Sequence, residues 1–300
     1  VKVFALAPKE DWICDQLVED WNTHSHDMAA ANAEEADVIW LLADWCWRSV
    51  PLELLQKKRV VTTVHHVVPE KFDRAARMDF AARDSVTDMY HVYNQRAHDF
   101  VRPLTKKEVR LVPYWANNGR WRKTGDKKEL RAKHGLPVDG YLVGSFQRDT
   151  EGHDLKSPKL EKGPDLLADY LIERSKETDG FHVVLAGWRR QYVIGRLNDA
   201  GVKYTYFERP VQSVLNELYQ TLDCYPVTAR HEGGPQALIE CGLLGVPVVS
   251  RPVGIAEQVL PPESINVDVY MAEPCVPDVR TMTFPLGIIP YRQMFADVLR

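Results

Sequence analysis

Short apolar runs alternate with amphipathic stretches along almost the whole chain. That alternation restricts the fold to the α/β class, in which helices cover the faces of a mainly parallel sheet. Val1-Lys2-Val3-Phe4-Ala5-Leu6 reads as a strand, and Trp12, Ile13, Leu17, Val18 and Trp21 then recur at helical spacing. Further strands are expected over 38–42, 60–65, 89–93 and 109–112, with Asn94 placed to cap a helix. The pattern then stops. Pro113-Tyr114-Trp115-Ala116-Asn117-Asn118-Gly119 and the polar run 120–128 carry no apolar period and read as a linker, with Arg120-Trp121-Arg122-Lys123 as its solvated face. It resumes with strands over 141–146, 181–186, 204–207, 223–227 and 246–250, helices over 164–175 and 211–221, the segment 231–244 and a last amphipathic stretch over 291–299. A chain of 300 residues has room for two such halves, and no sequence repeat relates them. Ligands of parallel sheets collect at strand carboxyl ends, so two facing sheets place a cleft between them.

Several function classes drop out on composition and spacing. Lys and Arg total 38 against 42 Asp and Glu, a net charge of −4, so no general basic field exists to hold nucleic acid or anionic lipid. No apolar run is long enough to cross a bilayer, and no secretory leader is visible, although the chain begins on Val rather than Met. The five cysteines are odd in number and never spaced CxxC, which argues against a disulfide framework or a cysteine zinc site and for a reducing, cytoplasmic compartment. All 17 glycines lie at or after Gly119, and none form the GxG of a dinucleotide fingerprint or a GxxxxGK[ST] phosphate loop. No aspartates are spaced DxD, the simplest arrangement for holding a divalent metal against a diphosphate.

The densest chemical signal is His231-Glu232-Gly233-Gly234-Pro235-Gln236-Ala237-Leu238-Ile239-Glu240. Pro235 suits the first turn of a helix, and Gly233 and Gly234 let backbone N–H groups approach a ligand, which makes the helix start a phosphate site. Ala237, Leu238, Cys241 and Leu244 mark the buried face, with Glu240 at its margin. A carboxylate there needs hydrogen-bond donors, and a ribose diol offers two. An ordinary surface helix with a solvated glutamate fits the same periodicity. Upstream, Arg148 follows a strand and Lys162-Gly163 precedes a helix, so an arginine fork and a lysine point charge are placed to converge on one diphosphate in lieu of a metal ion.

Taken together, Arg148, Lys162-Gly163, Ala186-Gly187, Glu232-Gly233-Gly234, Glu240 and Gly245-Val246-Pro247-Val248-Val249-Ser250, with Glu257 beyond, resemble the retaining glycosyltransferases of family 4. The hallmark is a pair of glutamates with seven residues between them, the spacing of Glu232 and Glu240. The resemblance covers roughly residues 112–259. It implies the GT-B fold: two Rossmann-like domains facing across a cleft, an acceptor-side domain over 1–112, a nucleotide-sugar donor domain over 113–284, and a final helix over 285–300 packing back on the first. It also implies that Glu240 holds ribose hydroxyls, Arg148 and Lys162 hold the diphosphate, and Glu232 contacts the donor sugar. Gly233, Gly234, Pro235, Gly187 and Arg189 then border the donor. No metal or other cofactor is expected, and the partners are a nucleotide-sugar donor and a carbohydrate or other hydroxyl acceptor.

The first half resembles the family less closely. Val60-Val61-Thr62-Thr63-Val64-His65-His66 looks like the strand whose terminal histidine reaches the donor sugar, making His65 the candidate; the same pair also reads as a surface feature or a fragment of a zinc site. The family's glycine pair after the first strand is replaced here by Ala7-Pro8-Lys9-Glu10-Asp11-Trp12, with Lys9 or Glu10 as substitutes. Trp40, Trp45 and Trp47 suit sugar stacking, although packing is the preferred reading. The expected activity is metal-independent glycosyl transfer with retained anomeric configuration. Its rivals are a non-catalytic nucleotide-sugar binding module and a GT-B nucleotide-sugar epimerase.

Overall fold

Val38-Ile39-Trp40-Leu41 is apolar at every position because the strand it forms is buried on both faces, as strands of parallel sheets are. Most strands of this chain, whose computed structural model describes residues 1–9 and 13–300, are likewise buried over most of their length. Two units result: Val1–Asn117 together with Thr281–Arg300, and Asn118–Arg280.

The first unit runs β1 (Val3–Leu6), α1 (Ile13–His24), β2 (Val38–Leu41), α2 (Leu52–Lys57), β3 (Arg59–Val64), α3 (Arg74–Asp84), β4 (Met89–Val92), α4 (Gln95–Val101) and β5 (Glu108–Leu111). Its five strands are parallel and lie in the order β1-β2-β3-β4-β5. Residues 28–30 pair along the other side of β1, through Val3 N to Met28 O at 2.7 Å and Ala30 N to Val3 O at 2.9 Å. The chain therefore leaves β1 toward one edge and returns on the other, a topological switch point. Asn94 caps α4, its side chain accepting from Ala97 N at 2.8 Å. The expected helix residue Trp12 lies outside the described residues. The core of the unit is aromatic: Trp40 lies 5.9 Å from Trp21 and 5.1 Å from Phe295, and Trp115 lies 4.6 Å from Tyr291, all centroid to centroid. These contacts seat the carboxyl-terminal helix Ile289–Asp297 in this unit.

The second unit runs α5 (Lys127–Lys133), β6 (Tyr141–Ser145), α6 (Pro164–Glu177), β7 (Phe181–Gly187), α7 (Gln191–Asp199), β8 (Tyr204–Glu208), α8 (Gln212–Gln220), β9 (Tyr225–Val227), α9 (Gln236–Leu244), β10 (Val248–Ser250) and α10 (Ala256–Val259). Strands β6, β7 and β8 pair in parallel, as do β9 and β10. A bridge between Val143 and Cys224 joins the two sets, giving the order β8-β7-β6-β9-β10. The switch point lies between β6 and β9, where a ligand crevice belongs in such a sheet.

Three expectations change. Residues 113–116 are no free linker: Tyr114, Trp115 and Ala116 are buried in the first unit, and the division falls after Asn117. Trp121, read as part of a solvated face, is 7% exposed and meets the Tyr219 ring edge-on at 5.6 Å. The polar run also ends in a helix, α5, nucleated by Asp126, whose carboxylate accepts from Lys128 N at 2.8 Å.

Candidate functional site

Backbone contacts and a few side-chain hydrogen bonds hold the second unit's switch point together. Gly163 caps α6 with φ +64°, and a Cβ on it would lie 2.0 Å from Thr228 O, so only glycine lets the β6–α6 connection press against the end of β9. Thr228 Oγ1 donates to Gly163 O at 3.0 Å. Arg230 N and His231 N both donate to Glu161 O, at 2.8 and 3.1 Å, and the Arg230 guanidinium grips Asp165 at 2.7 and 2.6 Å. The charge of Arg230, bound to the carboxylate by hydrogen bonds, holds Asp165 below the ordinary range. From the other side Gln147 Nε2 donates to Lys162 O at 2.9 Å. The loops after β6 and β9 are thus one clamped assembly.

Within it two of the sequence candidates meet. The Lys162 ammonium donates to the Glu232 carboxylate, both side chains being mostly buried. Gly233, Gly234 and Pro235 are buried and lead into α9. Pro235 is expected in the first turn; instead, with ψ 113°, it stands just before the helix, which begins at Gln236. Gly254, at φ +58°, backs this loop so closely that a Cβ would lie 2.5 Å from Pro235 Cδ. On α9 the buried face is Leu238, Ile239, Cys241 and Leu244, with Ala237 only half-buried.

Glu240 is the most distinctive of the group. The residue is half-buried, and the Tyr219 ring whose hydroxyl meets its carboxyl packs in turn on Phe146 and Tyr225, at centroid distances of 4.6 and 5.5 Å. Burial pushes the carboxyl up to about 7, and a hydrogen bond donated by the Tyr219 hydroxyl works in the opposite direction. A carboxyl poised there is ready to take further donors. Nothing in the periodicity of α8 marks Tyr219 as its partner.

Arg148 follows β6 and is half-buried. The next residue, Asp149, is fully buried with Arg190, Oδ2 to Nε at 3.5 Å, and Arg190 Nη2 donates to Ser145 Oγ at 3.0 Å. Burial lifts Asp149 to about 6 and presses the Arg190 guanidinium down, while their mutual attraction opposes both shifts. Gly187 ends β7, its carbonyl accepting from the Tyr206 hydroxyl at 2.9 Å. Arg189 has φ +59°, and its guanidinium sits 4.7 Å over the exposed Trp188 ring. Its carbonyl accepts from Asp149 N at 3.0 Å, which ties the β7 turn to the loop carrying Arg148.

His65 belongs to the first unit. Its Nε2 donates to Leu42 O at 2.8 Å, since that carbonyl can only accept, and in the neutral ring Nδ1 accepts from the Tyr114 hydroxyl at 3.0 Å. Both polar atoms of the ring are therefore engaged inside that unit. His66 is exposed. Lys9, in the turn where a glycine pair is expected, adopts φ +58° without being glycine, and its N–H donates to Asp15 Oδ1 at 2.9 Å. Glu10 lies outside the described residues. Trp40 and Trp47 are core, as packing requires, whereas Trp45 is 54% exposed, its ring 6.0 Å from that of His65. Among the described residues no group of three or more His, Cys, Asp or Glu side chains is gathered as a metal ion needs, and no helix is long and apolar enough to cross a membrane.

Comparison with known proteins bears on the fold and on part of the second unit. Residues 155–274 match the family model of glycosyl transferases group 1. None of the curated proteins matches the sequence. Among solved structures, Anabaena HepE (Alr3699) in complex with UDP and glucose is similar over 99% of this chain and 91% of its own, with 13% identity and a TM-score of 0.70. Sucrose-phosphate synthase from Thermosynechococcus elongatus is similar over 98% and 72%, with 17% identity and a TM-score of 0.61. WaaG, a glycosyltransferase involved in lipopolysaccharide biosynthesis, is similar over 85% and 82%, with 15% identity and a TM-score of 0.56. The fold is GT-B, and the segment 155–274 carries the group 1 glycosyl transferase signature.

Proposed function

We propose that this chain transfers a sugar from a nucleoside diphosphate sugar to a hydroxyl acceptor, without a metal ion and with retention at the anomeric carbon. The observation that carries the reading is the clamped assembly of the second unit. It joins a half-buried, poised Glu240 to a Lys162–Glu232 pair and a glycine loop at one topological switch point.

In this reading the ribose diol donates to Glu240 beside the Tyr219 hydroxyl. Arg148 and Lys162 neutralise the diphosphate as charge builds on it, the electrostatic term that dominates such displacements. The Gly233-Gly234 backbone keeps side chains away from the donor, and Glu232, oriented by Lys162, faces the transferred sugar. Gly187 and Arg189 border the nucleotide. The bond from C1 to the diphosphate oxygen breaks as a bond to the acceptor oxygen forms on the same face. The acceptor proton passes to the departing phosphate oxygen. His65 assists only if the donor sugar displaces one of its present partners. HepE structures hold UDP, UDP-glucose, and UDP with glucose, so uridine nucleotides are the first donors to try.

The test is product analysis with a panel of nucleoside diphosphate sugars in EDTA, with and without a mixture of hydroxyl acceptors. Transfer, or slow donor hydrolysis, together with release of nucleoside diphosphate supports the reading. Conversion of the donor to its epimer, an unchanged bound donor, or an absolute need for added Mg²⁺ or Mn²⁺ contradicts it.

A further inference from the structure

Between Arg148 and Lys162 the chain makes a long excursion, and the structure pinches it shut at its base. Thr150 and Pro158 form an antiparallel bridge, Glu151 N donates to Ser157 O at 3.0 Å, and Lys159 N donates to Asp149 O at 2.8 Å. At the far end Asp154 closes the turn, accepting from Lys156 N at 3.0 Å and from the Ser157 hydroxyl at 2.8 Å. The excursion therefore returns the backbone of Lys159 to the residue next to Arg148. Lys162 N in turn donates to Lys159 O at 2.8 Å, so one turn of chain separates Lys159 from the other cradle cation.

We propose that Lys159 is a third cation of the diphosphate cradle, acting with Arg148 and Lys162. The assignment rests on the donor reading given above. Its side chain is 18% exposed, turned into the assembly, and its ammonium lies 3.5 Å from Glu161 Oε1. Burial, then the positive charge of Arg148, press its pKa down, with Lys162 adding to the effect and Glu161 opposing it. A cation held among cations is one that an anion relieves. Lys162 and Lys159 each carry an internal counter-ion, Glu232 and Glu161, so the ammonium groups are already positioned before a diphosphate takes over the pairing. The Asp149–Arg190 pair, fully buried at the base of the excursion, fixes the segment that carries both Arg148 and the carbonyl to which Lys159 is bonded.

The experiment titrates the full chain with UDP, ADP and GDP and with the corresponding unphosphorylated nucleosides, comparing wild type, Lys159→Met and Lys159→Arg. Lys159→Met keeps the length of the side chain and removes its charge, and an unchanged thermal midpoint without nucleotide confirms an intact fold. The expected result is a loss of about tenfold in affinity for the diphosphate that wild type binds, about 1.4 kcal/mol, with nucleoside affinity unchanged and Lys159→Arg close to wild type. Equal loss on nucleoside and diphosphate, or wild-type diphosphate affinity in Lys159→Met, overturns the assignment alone. A wild-type chain that binds none of the three diphosphates overturns the donor reading and this assignment with it.

Discussion

Glu240 is the side chain on which the nucleotide reading rests, and its protonation is testable. Its carboxyl is raised from 4.5 to about 7 in the fold, so the stability linked to the protonated form is fully present below pH 4.5 and is lost as pH rises through about 7. Ribose hydroxyls donate, so they favour the ionised carboxylate and binding releases a proton below that pH. Affinity for a nucleotide sugar, whose own phosphates do not titrate in this range, should fall roughly tenfold per unit below pH 7 and level off above it. Tyr219→Phe removes the donor that favours ionisation. It should move this transition to higher pH and weaken binding at neutral pH by about 1.5–3 kcal/mol, the worth of a hydrogen bond to a charged group. Titration calorimetry of both proteins across pH 5.5–8.5 reads the effect; a flat profile in wild type would remove Glu240 from the ribose. The glutamate spacing was visible in sequence, but its hydroxyl partner was not. Tyr219 comes from α8, far from Glu240 in sequence, and Trp121, which packs on the Tyr219 ring, comes from a run whose charges disguise it as solvent-facing.

The elements of the second unit act through two connections, the one entering α6 and the one entering α9. Gly163 is where they touch. Alanine there combines a left-handed backbone with a Cβ 2.0 Å from Thr228 O, so we expect Gly163→Ala to destabilise the chain by about 2–4 kcal/mol. Because Thr228 and Lys162 flank the contact, the variant should also lose nucleotide affinity while folded. Denaturant unfolding and titration of one preparation measure both; a variant as stable as wild type would mean that the two connections are not clamped. The strands were readable because buried parallel strands are continuously apolar, and the end of β9 was readable from its glycines and proline. Helices α2, α3, α5 and α7 went unread. Their apolar faces are short or charge-rich, as in Arg74–Asp84, and what forms them is packing on the sheet, helped at α3 and α5 by side-chain caps such as Asp73 accepting from Ala76 N at 2.9 Å. Lys159 was unread because the bridge that returns it to Arg148 exists only in three dimensions.

The chain as a whole repeats one idea twice, a parallel sheet with a switch point, and the two copies differ in how far sequence reveals their chemistry. In Asn118–Arg280 glycines mark the close approaches at Gly163 and Gly254, and the candidates identified from sequence are found on adjoining connections. Residues 1–117 of the first unit carry no glycine, the turn after β1 takes its left-handed step at Lys9, and the aromatic core absorbs Trp40 and Trp115. The last twenty residues join that core through Tyr291 and Phe295, which amphipathic spacing alone did not specify. The central claim is that the second unit holds a nucleoside diphosphate sugar with its two glutamates in different roles. Titration of Glu232→Gln and Glu240→Gln with the bare nucleoside diphosphate, alongside steady-state kinetics with the full donor, tests it directly. Ribose contacts persist through the reaction, so Glu240→Gln should weaken the bare nucleotide by about 1.5–3 kcal/mol and raise KM for the donor more than it lowers kcat. Glu232→Gln should bind the bare nucleotide nearly as wild type does while kcat falls, since its partner is the transferred sugar. Loss of the bare nucleotide in Glu232→Gln with retention in Glu240→Gln would reverse the roles, and two variants indistinguishable from wild type in both measurements would contradict the account.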